Sequence, residues 1–209
     1  GEGVPMDNSI IPSVSAVDFL RYQVLLAEIN TWAIGIVGPH NFGLKFYAGR
    51  ARPEEIVWFL KEAMEQRPLE VEQWEIPKDI LDDIQQMNLQ HQYNFTAYEE
   101  GSPTHPSWPA MHSAGSVASF WLAIVMNLTA DQLCEAMALD YGVSYGRTIA
   151  GVHFSADNIA GLNLGQELLA RKLPQYLHEH FGSNENAVAD KIQQFRFDWN
   201  SYLNGPCFV

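Results

Sequence analysis

The stretch Y-G-R-T-I-A-G-V-H-F-S-A-D-N-I-A-G-L-N-L-G-Q, residues 145–166, places a histidine and an aspartate four apart where a long helical pattern begins. That pattern predicts one helix from Asn158 to Phe181. His153 and Asp157 stand one helical turn apart, close enough for the carboxylate to hydrogen-bond one ring nitrogen and fix the tautomer. The other nitrogen is then free to bind a metal or attack phosphorus. Arg147 lies six residues before His153. Taken alone, this segment is better read as a helical ion pair beside an unrelated arginine.

Basic residues are scarce, 12 against 25 acidic ones, and they collect in two further segments. The first is K-F-Y-A-G-R-A-R-P, residues 45–53. Lys45 and Arg52 are seven apart, nearly two helical turns, so both can point one way. Arginine offers a planar fork for two oxygens and lysine a mobile point charge, although a lone pair at this spacing is usually just a solvated face. The second is H-P-S-W-P-A-M-H-S, residues 105–113, in which His105 and His112 bracket two prolines and a tryptophan before a helix rich in small residues. Backbone N–H groups at a helix start bind anions, and a histidine there can act as acid or base near neutral pH. A proline-rich loop whose histidines cap the helix accounts for the same residues. Together the three segments suggest a tetrahedral oxyanion held in a pocket.

Bulk properties narrow the function classes. At 209 residues the chain predicts one domain over 14–209, after an extended arm over 1–13. A net charge of -13 excludes nucleic acid as the expected partner and argues against anionic membranes. The most apolar stretch, Val117 to Leu128, is too short to span a bilayer. Cys134 and Cys207 define no disulfide framework, and a bridge between them is the less expected state. No signal peptide is visible, and a chain that starts at Gly1 reads as a processed or trimmed product. These features fix no compartment, and a secreted, periplasmic or cell-wall location stays open.

Few windows alternate with period two and no repeat is found, so the fold class is all-α. Val14 to Gly35 predicts a helix capped at Ser15 or Asp18, followed by a loop G-P-H-N-F-G. Pro53, Glu54 and Glu55 start a second helix that runs to about Gln66. Lys78 to Leu89 is an amphipathic helix within an otherwise looped segment over 68–104. Helices are also expected over His112 to Leu128, Thr129 to about Gly142, and Asn186 to Leu203.

The three segments resemble the vanadium-dependent haloperoxidase and type 2 acid phosphatase superfamily, whose pattern is K-x6-R-P, then P-S-G-H, then S-R-x5-H-x3-D. Lys45, Arg52 and Pro53 match the first motif, His112 the histidine of the second, and Arg147, His153 and Asp157 the third, with Gly146 in place of its serine. The wording is similar to algal bromoperoxidases from about Lys45 to Leu173, with 54–100 matching poorly. The resemblance implies a helical bundle of that type and a vanadate cofactor with His153 as the one protein ligand to the metal. It also implies that Lys45, Arg52 and Arg147 neutralise the vanadate oxygens and that Met111 offers its backbone N–H. His112 would take a proton from hydrogen peroxide, Lys45 would polarise the peroxide, and Asp157 would orient His153. His105 matches a histidine typical of bromoperoxidases, so bromide or iodide is the implied halide, with a small organic acceptor downstream.

Two departures and one shortage qualify that picture. The motif's serine is Ala110, which removes a hydrogen bond worth about 1.5–3 kcal/mol to a charged oxygen. Its glycine is Met111, whose thioether is expected to crowd the pocket. Only 44 residues precede Lys45, fewer than in algal relatives, so a homo-oligomer is expected to supply the missing packing surface. The alternatives are an acid-phosphatase-like phosphomonoesterase with His153 as nucleophile, and a family member that binds an oxyanion with weakened or no turnover.

Overall fold

A stripe of five residues four apart, Ile29, Ala33, Val37, Asn41 and Lys45, is buried along one face of the first helix. In the computed structural model, which describes residues 16–208, that helix is α1, Ala16–Ala48. The arm expected over 1–13 and the cap expected at Ser15 lie outside the described residues, and so does the side chain of Asp18. The loop expected after Gly35 is instead helix, and Pro39 lies inside it. Proline removes the bond to the carbonyl four residues earlier. Both Pro39 and that residue, Gly35, are exposed, so water can serve the freed carbonyl. The helix thus runs on far enough to carry its buried stripe from apolar residues to the Lys45 ammonium.

Among the described residues the chain is helical throughout, with no strand. Helices α2 (Pro53–Gln66), α3 (Pro68–Val71) and α4 (Lys78–Gln86) follow, then a 3-10 turn at Gln92–Phe95. The short α5 (Met111–Gly115) and α6 (Ala118–Val125) come next, then α7 (Ala130–Ile149), α8 (Ser155–Phe181), α9 (Glu185–Phe195) and a second 3-10 turn at Trp199–Asn204. No described helix is long and apolar enough to cross a membrane. Helix α8 is the central element and packs against α1, α5, α7 and α9. Leu162, Leu169 and Leu173 on α8 meet Ile29 and Val37 on α1, and Phe120 and Trp121 on α6.

Several boundaries differ from the sequence reading, each for a tertiary reason. The helix expected over His112 to Leu128 is two, because the buried Asp140 carboxylate of α7 accepts from the Ala118 and Ser119 amides and starts α6 afresh. Gly142 does not stop α7, which continues to deliver Arg147. The last helix ends at Phe195, where both ends of the Gln166 amide bond the Phe197 backbone. Cys134 and Cys207 are joined, which ties the C-terminal tail to α7 across 73 residues. Apolar side chains stay exposed on α1, at Val24 and Phe46, and on α7, at Leu139 and Ile149.

Gly161 and Gly165, one turn apart on α8, let α5 lie against the helix backbone. A Cβ on Gly161 would sit 2.4 Å from the Ala110 carbonyl oxygen, and one on Gly165 2.2 Å from that of Ala114. Both obstacles are main chain, so α5 would have to move. Gly161→Ala or Gly165→Ala is therefore expected to cost about 1–3 kcal/mol, read as a lower midpoint in urea unfolding. Gly142→Ala, with nothing within 4 Å of the new Cβ, is expected to cost nothing.

Candidate oxyanion site

Lys45, in the last turn of α1, is fully buried, and its Nζ donates to the Pro106 and Ser107 carbonyls at 3.0 and 2.8 Å. Arg52 follows a short non-helical link, so the two do not share a helix as their spacing suggested. The link begins at Gly49, whose φ of 63° is left-handed and closes α1 with a bond from its N–H to the Lys45 carbonyl. Arg52 is buried immediately before α2. Its Nε donates to the His105 carbonyl at 2.9 Å and one terminal nitrogen to the Val152 carbonyl at 2.7 Å. These acceptors are neutral carbonyls, and neither cation has an ion-pair partner among the described residues, although the buried Glu54 and Asp157 act on Arg52 from further off.

The same guanidinium lies between two imidazoles, 3.4 Å from His153 Nε2 and 3.2 Å from His105 Nδ1. Arginine only donates, so both nitrogens present lone pairs. For His105 this contact is shorter than the 3.4 Å to the Pro106 carbonyl, so its proton belongs on Nε2. For His153 the proton belongs on Nδ1, which faces Ser107 Oγ at 3.2 Å and Asp157 Oδ2 at 3.3 Å. His153 precedes α8 rather than lying on it, while Asp157 sits in the first turn, so the expected contact forms across the helix start. Burial pushes His153 down to about 4, helped by the charges of Arg52 and Lys45, and the ring is neutral at pH 7.

Asp157 is the focus of this network. Its Oδ2 accepts from Ser107 Oγ at 2.5 Å and from the Phe154 amide at 3.0 Å, and its Oδ1 from Arg50 at 2.9 Å. Although burial alone would raise it, the bonds from His153, Ser107 and Phe154 and the Arg50 charge hold this carboxyl below its usual value. The cations respond in the opposite sense. Burial, then the neighbouring Arg52, lowers Lys45 to about 8. Arg52 is lowered by burial and by Arg147, more than Glu54 and Asp157 raise it.

Arg147, near the end of α7, donates to the Tyr98 hydroxyl and lies over that ring at 5.3 Å, while its buried Nε has no partner. His112 on α5 is exposed. It is lowered by burial and then by the charges of Arg147, Lys45, Arg52 and His105, which places it in the same field. Ala110 is fully buried, and its amide donates to the Asp157 carbonyl at 2.9 Å. Met111 does not fill the pocket with its thioether as expected. Its methyl lies beside Gly38 and Gly115, packed against the core. Lys45, His105, Arg52, Arg147, His112, His153 and Asp157 are therefore linked by hydrogen bonds or by mutual charge.

Three contributors escaped the sequence reading. Arg50 was only a charge in the count, Ser107 a letter in a proline-rich run, and Tyr98 part of a segment without a motif. Only Ser107 carried a signal, from its place between His105 and the histidine-bearing helix.

The chemistry of this donor set fits a tetrahedral oxyanion. Two buried cations and an Arg147 Nε–H without a partner among the described residues share one cationic field with a neutral histidine, whose Nε2 lone pair now accepts from Arg52 at 3.4 Å and would pass to an electrophilic centre if that guanidinium turned to the anion. Inorganic phosphate is expected to raise the melting temperature more than chloride at matched ionic strength. At a hundred times its dissociation constant the gain is about 2.7 kcal/mol, measurable by calorimetry.

The profile of the PAP2 superfamily matches residues 24–173, well over half the chain and inclusive of every residue of this network. The chain is also similar to a vanadium-dependent bromoperoxidase of Ascophyllum nodosum, 30% identical over an alignment that covers 39% of this chain and 19% of the relative. The chain thus spans less than a fifth of that protein's length. No solved structure matches it. By the extent of the profile match, and with a helical fold that agrees, the chain belongs to the PAP2 superfamily.

Proposed function

We propose that this chain is a vanadate-dependent haloperoxidase that oxidises bromide or iodide with hydrogen peroxide. The observation that carries the reading is the buried charge of Lys45 and Arg52, neither with an ion-pair partner among the described residues, beside the neutral His153 and in one field with the unpartnered Nε of Arg147. Similarity to a named vanadium-dependent bromoperoxidase supports the choice of anion. Lys45, Arg52 and Arg147 would hold the oxygens, with His153 Nε2 as the protein ligand. Vanadate, when bound, supplies a Lewis-acidic centre for peroxide. Asp157 and Ser107 hold the proton on His153 Nδ1, which leaves Nε2 unprotonated, with the Arg52 guanidinium its donor until the anion takes that guanidinium. His112, neutral and exposed at the edge of the cationic field, is the base that accepts a proton from hydrogen peroxide. Met111 would contribute its backbone N–H. Ala110 offers no hydroxyl, which fits a site that holds its anion less tightly than a serine-bearing relative.

The decisive assay incubates the protein with orthovanadate and measures peroxide-dependent bromination and, separately, aryl phosphate hydrolysis. Bromination is expected only with vanadate and is lost in His153→Ala. Hydrolysis that vanadate inhibits would instead favour a phosphomonoesterase in which His153 attacks phosphorus. Absence of both would leave an oxyanion-binding protein.

The pH dependence of anion binding follows from Lys45. Its value of about 8 in the anion-free protein means that it is charged below that pH and discharges above it. Orthovanadate affinity should therefore hold up to about pH 8 and fall beyond it, and the fall should disappear in Lys45→Met. A bound anion favours charged lysine, so saturation moves the midpoint upward, never downward. Isothermal titration between pH 6 and pH 10 reads both effects.

A further inference from the structure

Asp157 is fully buried, and its two oxygens have separate partners. Oδ2 serves His153, Ser107 and the Phe154 amide, while the hydrogen bond to Oδ1 comes from Arg50. Without that donor, Oδ1 would be a buried charged oxygen free to rotate toward the N–H groups that hold Oδ2. Arg50 is itself fixed at two further points. Its guanidinium lies 4.6 Å from the centre of the Phe154 ring, and its backbone carbonyl accepts from the Ser107 amide at 2.8 Å. One residue thus anchors both the carboxylate and the hydroxyl that face His153 Nδ1. Gly49, in its left-handed conformation, is what turns the chain out of α1 and sends Arg50 there.

We propose that Arg50 is a positioning residue. By clamping Asp157 Oδ1, it keeps Oδ2 and Ser107 on His153 Nδ1 and so aims the Nε2 lone pair into the cationic pocket. It is a fourth basic side chain of the site and it does not hold the anion, because its guanidinium is fixed between Asp157 Oδ1 and the Phe154 ring and its side chain is 42% exposed. A bland reading is that Arg50 and Asp157 are an ion pair of the kind that does little at a surface. Against it stands the complete burial of Asp157 and the division of labour between its oxygens.

The functional consequence rests on the oxyanion reading, and the positional one does not. The test measures orthovanadate affinity by titration calorimetry for the wild type, Arg50→Gln, Arg50→Lys, Asp157→Asn and the Arg50→Gln/Asp157→Asn pair. Arg50→Gln is expected to weaken binding about tenfold to a hundredfold, as loss of a residue behind a ligand does. Arg50→Lys should recover most of it. In the Asp157→Asn background Arg50→Gln should have no further effect, since the route through Asp157 is already cut. An equal loss in both backgrounds would mean that Arg50 acts on the anion by its charge, and unchanged binding in Arg50→Gln would mean that it does nothing; either overturns the proposal. Nitrogen NMR of the His153 ring gives a second readout. The Nδ1–H tautomer should prevail in the wild type and become mixed in Arg50→Gln. If the wild type fails to bind orthovanadate, the oxyanion reading falls, and the ring signals alone decide Arg50: an unchanged tautomer in Arg50→Gln overturns its role.

Discussion

Positive charge that is buried without an ion-pair partner among the described residues is the constraint around which this protein is arranged. Lys45 and Arg52 are almost wholly removed from water. Taking an ion out of water costs several kcal/mol even after relaxation, and the bonds that receive these two run to neutral carbonyls. The buried carboxylates near them are already engaged, Asp157 by Arg50, Ser107 and Phe154 and Glu54 by the Ser102 amide. A chain of net charge -13 has no general attraction for anions, so whatever affinity it has for them comes from this one cluster. The rest of the fold brings the cluster together. The stripe along α1 carries Lys45 inward, the Gly161–Gly165 face of α8 admits α5 with His112, and α7 runs past Gly142 to present Arg147.

Within the cluster the two charge types have different tasks. The cations make a potential well, and the Asp157 network sets the state of the imidazole inside it. A neutral His153 with its proton on Nδ1 has a lone pair to give, whereas an imidazolium would be repelled by its neighbours and would have none. Burial and nearby cations depress the basicity of the ring, while Asp157 and Ser107 choose the tautomer. This division explains how a carboxylate is tolerated in the proposed anion site. It lies behind the ring, away from Nε2, and its charge is drawn off by Arg50.

The sequence made the all-helical class legible through its 3.6-residue periodicity, and the helix starting at Pro53 through its proline and acids. The charged site residues were legible because each motif fixes a spacing within one segment. What crosses between segments was not. The buried course of Asn41 and Lys45 is written at i, i+4 from Ile29, but Gly35 and Pro39 looked like a stop because their exposure is a tertiary fact. Asp140 breaks a helix 21 and 22 residues away in sequence by capping α6, which no local pattern announces. Arg50 and Ser107 gain their roles only when the first and second segments meet the third. The bond between Cys134 and Cys207 depends likewise on a tail that folds back. Conversely, Met111 reads as an obstruction because it stands where the motif has glycine, yet its side chain follows the inner face of α5 toward Gly38.

The central claim is that the cationic cluster and the His153 lone pair hold one oxyanion between them. A crystal structure of the protein grown with orthovanadate tests this most directly. The account predicts a single vanadium centre bonded to His153 Nε2, with its oxygens within hydrogen-bond distance of Lys45, Arg52 and Arg147. Lys45 and Arg52 still bonded as they are now, with no vanadium at His153 or with the anion bound elsewhere on the molecule, would contradict it.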